Sequence, residues 1–83
     1  MTVDELVNAV DELVNAVDGW RGEPGELQAK QEGAWSLVVY PDPDCWRFAA
    51  QIPHDGWYKS VSGWCYTQEA AKKAAVAIAR GLA

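Results

Sequence analysis

The 83-residue chain contains little of the chemistry on which most enzymes and metal proteins depend. It has one histidine, His54, and two cysteines, Cys45 and Cys65, with no CxxC or HxxxH spacing. Two cysteines are too few for the disulfide framework of a small secreted domain, and this spacing does not predict a zinc site. No Ser-His-acid pattern or glycine-rich phosphate loop is recognisable. The sequence therefore predicts a protein that is not an enzyme and that holds neither a cofactor nor a metal.

Long apolar runs and an excess of positive charge are also absent. No apolar run approaches the roughly 18 residues that suggest a membrane span, and the first residues lack the basic and apolar regions of a signal peptide. We therefore expect a cytoplasmic protein. Twelve acidic residues against seven lysines and arginines give a net charge of −5. An acidic balance argues against strong nonspecific binding to nucleic acid, because such binding neutralises phosphates.

The charge is distributed unevenly along the chain. Residues 1–32 hold eight acidic and two basic residues, a balance of −6, whereas residues 33–83 hold four acidic and five basic residues, a balance of +1. Hydrophobic residues make up 49% of the chain, and five of them are tryptophans. This composition is typical of a globular protein, and the length predicts a single domain over residues 1–83.

The chain begins with an exact repeat, because the heptad VDELVNA of residues 3–9 recurs at 10–16. Its apolar residues follow the i, i+3, i+4, i+7 rule, which predicts an amphipathic acidic helix within residues 1–18. One interpretation is that this helix packs on the protein's own sheet. The other is a two-stranded seam in a homodimer. The candidate self-association residues are Val3, Leu6, Val10, Leu13 and Val17.

Residues 19–34 are rich in glycine and contain Pro24, which predicts a linker. Within it, the run ELQAKQE (26–32) is compatible with either a short helical turn or an edge strand. Residues 35–66 then show three alternating segments rich in β-forming residues, at 35–40, 45–52 and 57–66. The turns PDPD (41–44) and PHDG (53–56) separate them. A three-stranded antiparallel sheet is therefore expected over residues 35–66.

The pairing of these strands can be predicted from their turns. A four-residue loop at 41–44 places Leu37 opposite Phe48, and a three-residue loop at 54–56 places Trp46 opposite Trp64. The same register sets Cys45 opposite Cys65 on the polar face, where free thiols are expected. This register is favoured because it collects the large apolar side chains on one face. They are Trp35, Leu37, Val39, Trp46, Phe48, Ile52, Tyr58, Trp64 and Tyr66.

Residues 67–82 (TQEAAKKAAVAIARGL) predict a helix, with Thr67 as its N-cap and a buried stripe of Ala71, Ala74, Ala75, Ile78 and Leu82. The chain therefore has the order α-β-β-β-α, an α+β fold with both helices on one face of a three-stranded antiparallel sheet. In this order, and in the final helix, it resembles the double-stranded-RNA-binding domain. Residues Thr67, Ala71, Lys72, Ala74 and Ala75 match that family's helix. Gln68 and Glu69 depart from it, since they replace two phosphate-binding lysines.

These features favour a small, non-enzymatic protein-interaction or regulatory module. A phage or mobile-element inhibitor that binds a larger protein would have this size and charge. The alternative is a nucleic-acid-binding domain that uses the open sheet face, because aromatic and basic side chains can stack on bases and contact phosphates. For either partner, the candidate binding residues are Tyr40, Arg47, Gln51, Trp57 and Lys59.

Overall fold

The computed structural model describes residues 19–81, which form one antiparallel sheet and one helix. The predicted N-terminal helix, with its heptad repeat and the stripe from Val3 to Val17, lies outside the described residues. The sheet has four strands in the order β1-β2-β3-β4, with every neighbouring pair antiparallel. The elements are β1 (Gln28–Glu32), β2 (Trp35–Asp42), β3 (Cys45–His54), β4 (Trp57–Cys65) and the helix α1 (Gln68–Ala79).

The expectation of a three-stranded sheet with two helices was wrong, because four strands and one helix make up the described part of the chain. The additional strand, β1, lies inside the segment 19–34 that was predicted to be a linker. It pairs with β2 from Gln28 opposite Val39 to Glu32 opposite Trp35. Its sequence, QAKQE, contains no β-branched or aromatic residue. Pairing with β2, rather than intrinsic propensity, therefore makes this segment a strand, which is the edge-strand alternative for ELQAKQE.

The hairpin between β2 and β3 has a tighter turn than predicted. Asp42 pairs with Cys45, so the loop contains two residues instead of four, and Val39 lies opposite Phe48. Relative to the prediction, the pairing partners move by two residues. Because side chains alternate with a period of two, this shift leaves each side chain on its predicted face. Leu37, Val39 and Phe48 are accordingly buried, as the alternating pattern predicts.

The hairpin between β3 and β4 differs by one residue from the predicted register, and this inverts β4. His54 pairs with Trp57, so the turn contains only Asp55 and Gly56, whose φ angles are +44° and +84°. Two positive φ angles are what a type I′ turn requires, and Asp-Gly is a preferred pair for it. The predicted three-residue loop was therefore wrong. Arg47 now lies opposite Trp64, and Trp46 lies opposite Cys65.

Inversion of β4 moves three aromatic residues out of the predicted core. Tyr58, Trp64 and Tyr66 are 68%, 53% and 80% exposed. In their place, Gly63 lies directly opposite Phe48, and a Cβ atom at residue 63 would come within 2.7 Å of Phe48 Cζ. The phenyl ring thus occupies the space that a side chain would need. Gly63 is therefore a point of close approach between β4 and the ring of Phe48.

The helix α1 packs mainly on β2 and β3. Its Ala71, Ala75 and Val76 are buried against the sheet residues of the core. Small side chains let the helix lie close to a sheet that already carries large ones. The predicted cap is confirmed, because Thr67 Oγ1 accepts a hydrogen bond from the backbone N–H of Ala70 at 3.1 Å. The core therefore lies between α1 and one side of the sheet.

Candidate functional site

The sheet has two unlike faces. We call the side that carries α1 the helix face and the opposite side the open face. Among the described residues, no second element packs on the open face. It consists of the outward-pointing residues of the four strands. These are Ala29, Gln31, Ser36, Val38, Tyr40, Asp42, Cys45, Arg47, Ala49, Gln51, Pro53, Tyr58, Ser60, Ser62 and Trp64.

Aromatic side chains and one arginine lie together at one end of the open face. Tyr40, Arg47 and Trp64 are neighbours across β2, β3 and β4, since Arg47 pairs with both of the others. Just beyond β4, the ring of Tyr66 meets that of Trp64 edge to face, with centroids 5.1 Å apart. We call these four residues the aromatic end. It presents two large exposed rings, a half-exposed tyrosine and a cation to the solvent.

Asp42 holds the arginine of the aromatic end. Arg47 Nε donates a hydrogen bond to Asp42 Oδ2, and this bond, together with the charge of the carboxylate, raises the pKa of Arg47. The ion pair therefore keeps the guanidinium beside Asp42 on the open face. The four strands contain three lysines and arginines, Lys30, Arg47 and Lys59, of which only Arg47 lies on the open face. The open face consequently has little free positive charge.

A shallow concavity of about 250 Å³ lies within the aromatic end. Asp44, Cys45, Arg47, Trp64 and Tyr66 line it. Sites for drug-sized molecules usually have volumes of roughly 300–1,000 Å³ and bury most of their ligand. The concavity in the aromatic end is smaller than most such sites.

The five residues predicted to bind a partner do not form one site. Tyr40, Arg47 and Gln51 lie on the open face as expected, but Trp57 and Lys59 point to the helix face. The one-residue shift of the β3–β4 register is the reason, because it turned every β4 side chain over. Trp57 and Lys59 instead line a second concavity of about 470 Å³, together with Trp35, Ile52, Pro53 and His54.

Sequence reasoning placed Tyr58, Trp64 and Tyr66 in the core, and so it missed the exposed aromatic residues of β4 and its end. The signal that identifies them is the Asp55-Gly56 dipeptide. A two-residue type I′ turn at this dipeptide places the even-numbered residues of β4 on the open face, so Tyr58 and Trp64 point outwards. The apolar character of these residues instead favoured the register that buries them.

The two thiols also lie on different faces. Cys45 is on the open face, whereas Cys65 packs against the core on the helix face, so the predicted placement of Cys45 opposite Cys65 was wrong. Burial raises the pKa of the Cys65 thiol. Within residues 19–81, no group of three or more His, Cys, Asp and Glu side chains is placed to hold a metal ion. No helix in that range combines the length and apolar character needed to cross a membrane.

The resemblance to the double-stranded-RNA-binding domain stays a prediction. Its matching residues lie on α1 and at its cap, where Ala71 and Ala75 are part of the core. Their burial on the helix face is a packing role that needs no RNA. Comparison of the chain with protein-family models, with curated proteins and with solved structures yields no match.

Proposed function

We propose that the protein is a small, non-enzymatic interaction module that binds a larger protein through the aromatic end of its open face. The observation that carries this proposal is the exposure of Trp64 and Tyr66 beside Arg47 on a surface that no described element covers. Tryptophan, tyrosine and arginine are the residue types that most often dominate the energy of protein–protein interfaces. Their clustering at one end of a sheet supports a docking role.

The neighbouring row of the open face supports close approach by a partner. Val38, Ala49 and Ser62 lie side by side across β2, β3 and β4, next to the aromatic end. Because these side chains are short, they form a shallow strip beside the larger rings of the aromatic end. A protruding apolar side chain of a partner could lie in this strip and contact Trp64. Charged residues are depleted here, as they are in the centres of protein interfaces.

Nucleic-acid binding is the alternative function, and the distribution of charge argues against it. Exposed aromatic rings can stack on bases, but affinity for a strand also depends on cations that neutralise phosphates. Arg47 is bonded to Asp42, and Lys59, the second predicted phosphate contact, points to the helix face. A net charge of −5 adds a general repulsion. A protein partner therefore agrees better with the surface.

A regulatory role would follow from such docking. A module of 83 residues can inhibit a larger protein by occupying the surface that the larger protein needs for its own partner. An inhibitor encoded by a phage or mobile element remains the form of this proposal that best suits the small size and acidic charge. It requires no chemistry beyond binding.

Site-specific photocrosslinking tests the proposed docking face. Trp64 and Trp57 are both on β4 and almost equally exposed, at 53% and 55%, but they point to opposite faces. A photoreactive residue is placed at 64 in one variant and at 57 in the other, and each is irradiated in lysate of the source cells. We expect a discrete adduct, larger than two copies of this chain, from position 64 alone. Equal adducts from both positions, or from neither, would contradict the proposal.

Gel-shift measurements with single-stranded and double-stranded DNA and RNA provide the second arm. We expect no shift at salt concentrations near 0.15 M. A shift that weakens steeply with salt and disappears in Arg47→Ala would support the nucleic-acid alternative instead.

A further inference from the structure

The two edges of the sheet are protected to different degrees. An unpaired edge strand exposes backbone N–H and C=O groups that can pair with another chain, and proteins usually block it. The outer edge of β1 has several such features. The strand has only five residues, it contains Lys30 and Glu32, and Arg21 forms two backbone hydrogen bonds with Ala29, of 2.8 and 2.9 Å. Strand addition at β1 is therefore disfavoured.

The β4 edge has almost none of these features. The strand has nine residues, contains no proline, and carries a single charged residue, Lys59. Among residues 19–81, no other segment pairs with its outer edge. Six of its nine residues are exposed, and Trp57, Tyr58 and Trp64 are among them. By the criteria that distinguish blocked from available edges, β4 is available for pairing.

We propose that β4 pairs in an antiparallel arrangement with β4 of a second copy of this chain, with the two-fold axis passing Val61. A two-fold axis perpendicular to the sheet keeps the open faces of both copies on the same side. Each β4 residue then lies opposite the residue of the second copy for which the two residue numbers add up to 122. This register uses all nine residues of the strand. Moving the axis by one residue leaves two of the nine without a partner.

The β4 sequence is complementary to itself in this register. On the open face, Tyr58 lies opposite Trp64 of the partner subunit, and Ser60 lies opposite Ser62 of the partner subunit. Aromatic pairs and pairs of hydroxyl residues both stabilise neighbouring antiparallel strands. On the helix face, Lys59 lies opposite Gly63 of the partner subunit. The only charged residue of β4 therefore does not face its own copy, whereas an axis at Lys59 would place the two ammonium groups together.

Pairing at β4 has a consequence for the open face. Two four-stranded sheets would join into one of eight strands, and the two open faces would form one continuous surface. The aromatic ends would then lie near the dimer axis, one on each side. This inference does not depend on the proposed protein partner. It uses the exposed edge and its sequence, and it adds a second copy of the chain as a partner in its own right.

The dimer can be tested by changing charge at Ser60 and Ser62, two exposed positions on the open face. In the proposed register, S60K/S62K places like charges opposite each other twice. S60K/S62E changes the same positions but places opposite charges together twice. We expect S60K/S62K to weaken the dimer roughly tenfold or more. S60K/S62E should dimerise at least as tightly as the unmodified protein, with an affinity that falls as salt rises.

Sedimentation velocity of the full chain from about 1 μM to about 1 mM measures these affinities, because pairing along one edge buries less area than a standard interface and should be weak. Circular dichroism verifies that each variant is folded. S36K is the matched control, since Ser36 lies on the same face but on an inner strand, and we expect no change in its dimer affinity.

Three results would overturn the proposal. The first is an unmodified protein that remains monomeric throughout the concentration range. The second is equal dimerisation of the S60K/S62K and S60K/S62E variants. The third is a dimer that persists in both variants but disappears on deletion of residues 10–16, which would assign self-association to the heptad repeat.

Discussion

The side-chain amide of Gln68, the first residue of α1, donates a hydrogen bond of 2.9 Å to Oε1 of Gln28, a β1 residue that is only 4% exposed. Gln28 Nε2 in turn donates to the carbonyl of Gly22 at 2.9 Å. Gln68 also donates to the carbonyl of Glu26 and accepts from the N–H of Gly25, both at 3.2 Å. Gln28 and Gln68 thus join the start of α1 to β1 and to the loop that precedes β1.

Truncation of the buried amide should destabilise the protein. Gln28→Ala leaves the Gly22 carbonyl and one bond of Gln68 without their partners, and we expect a loss of about 1–3 kcal/mol in the free energy of unfolding. Urea denaturation measures it. Gln31→Ala is the matched control, because Gln31 is a glutamine of the same strand whose hydrogen bonds are exposed. The control should lose no more than about 0.5 kcal/mol, and equal losses would contradict the role of Gln28.

The close contact between Gly63 and Phe48 predicts that even a methyl group is too large at residue 63. Gly63→Ala should lower the free energy of unfolding by about 1–3 kcal/mol, because the phenyl ring or β4 must move. In a Phe48→Leu background the cost of the same substitution should be smaller, since the smaller side chain leaves room. Thermal denaturation of the four proteins of this cycle measures the coupling. Additive effects would mean that the contact does not limit residue 63.

Stability should fall in acid partly through Glu32. Burial raises the pKa of this carboxyl, but the hydrogen bond and charge of Arg80 and the charge of Lys30 outweigh it, so its pKa is lowered. The Arg80 Nε–Glu32 Oε1 distance is 3.1 Å. A carboxyl with a lowered pKa in the folded state stabilises that state above its unfolded pKa, and this contribution is lost as the pH falls through the folded pKa.

The measurement is the free energy of unfolding of Glu32→Gln and of the unmodified protein, compared at pH 7 and near pH 3. We expect the variant to be less stable at pH 7 and the difference to shrink in acid. Glu69→Gln serves as the control, because the exposed i,i+4 pair of Glu69 with Lys73 should contribute only about 0.3–0.5 kcal/mol. If the loss of unfolding free energy caused by Glu32→Gln were larger near pH 3 than at pH 7, the proposed contribution of Glu32 would be contradicted.

The positions of the thiols predict how the protein responds to oxidation. Cys45 and Cys65 project from opposite faces of adjacent strands, and cysteines whose Cβ atoms point apart cannot be bridged without movement of the backbone. Mild oxidation of the folded protein should therefore give no intramolecular disulfide. Intact-mass measurement under non-reducing conditions detects the loss of two hydrogens that such a bond would cause. A monomer that rapidly loses the mass of two hydrogens would contradict the observed register.

Several features of the fold follow from the sequence because they are local. Thr67 caps α1 because a hydroxyl followed by a helix-forming run can bond an N–H of the first turn. The faces of β2 and β3 follow from alternation, and an error of two residues in their pairing left those faces correct. Of the candidate binding residues, Tyr40, Arg47 and Gln51 were assigned to the open face for this reason.

Other features depend on contacts between distant segments. The polar run of β1 becomes a strand only by pairing with β2, and its buried Gln28 is accommodated only because Gln68, forty residues later, bonds to it. Which side chains of β4 point to each face depends on whether the β3–β4 turn contains two residues or three. Asp55 and Gly56 adopt a two-residue turn, and Gly63 makes room for Phe48, so Trp64 and Tyr58 face the solvent. Hydrophobicity alone favours burying these rings. The sequence by itself determined β2, β3, the presence of β4 and the final helix, because alternation and capping are local, whereas pairing, turn geometry and packing made β1 a strand and decided which aromatic side chains are available for binding.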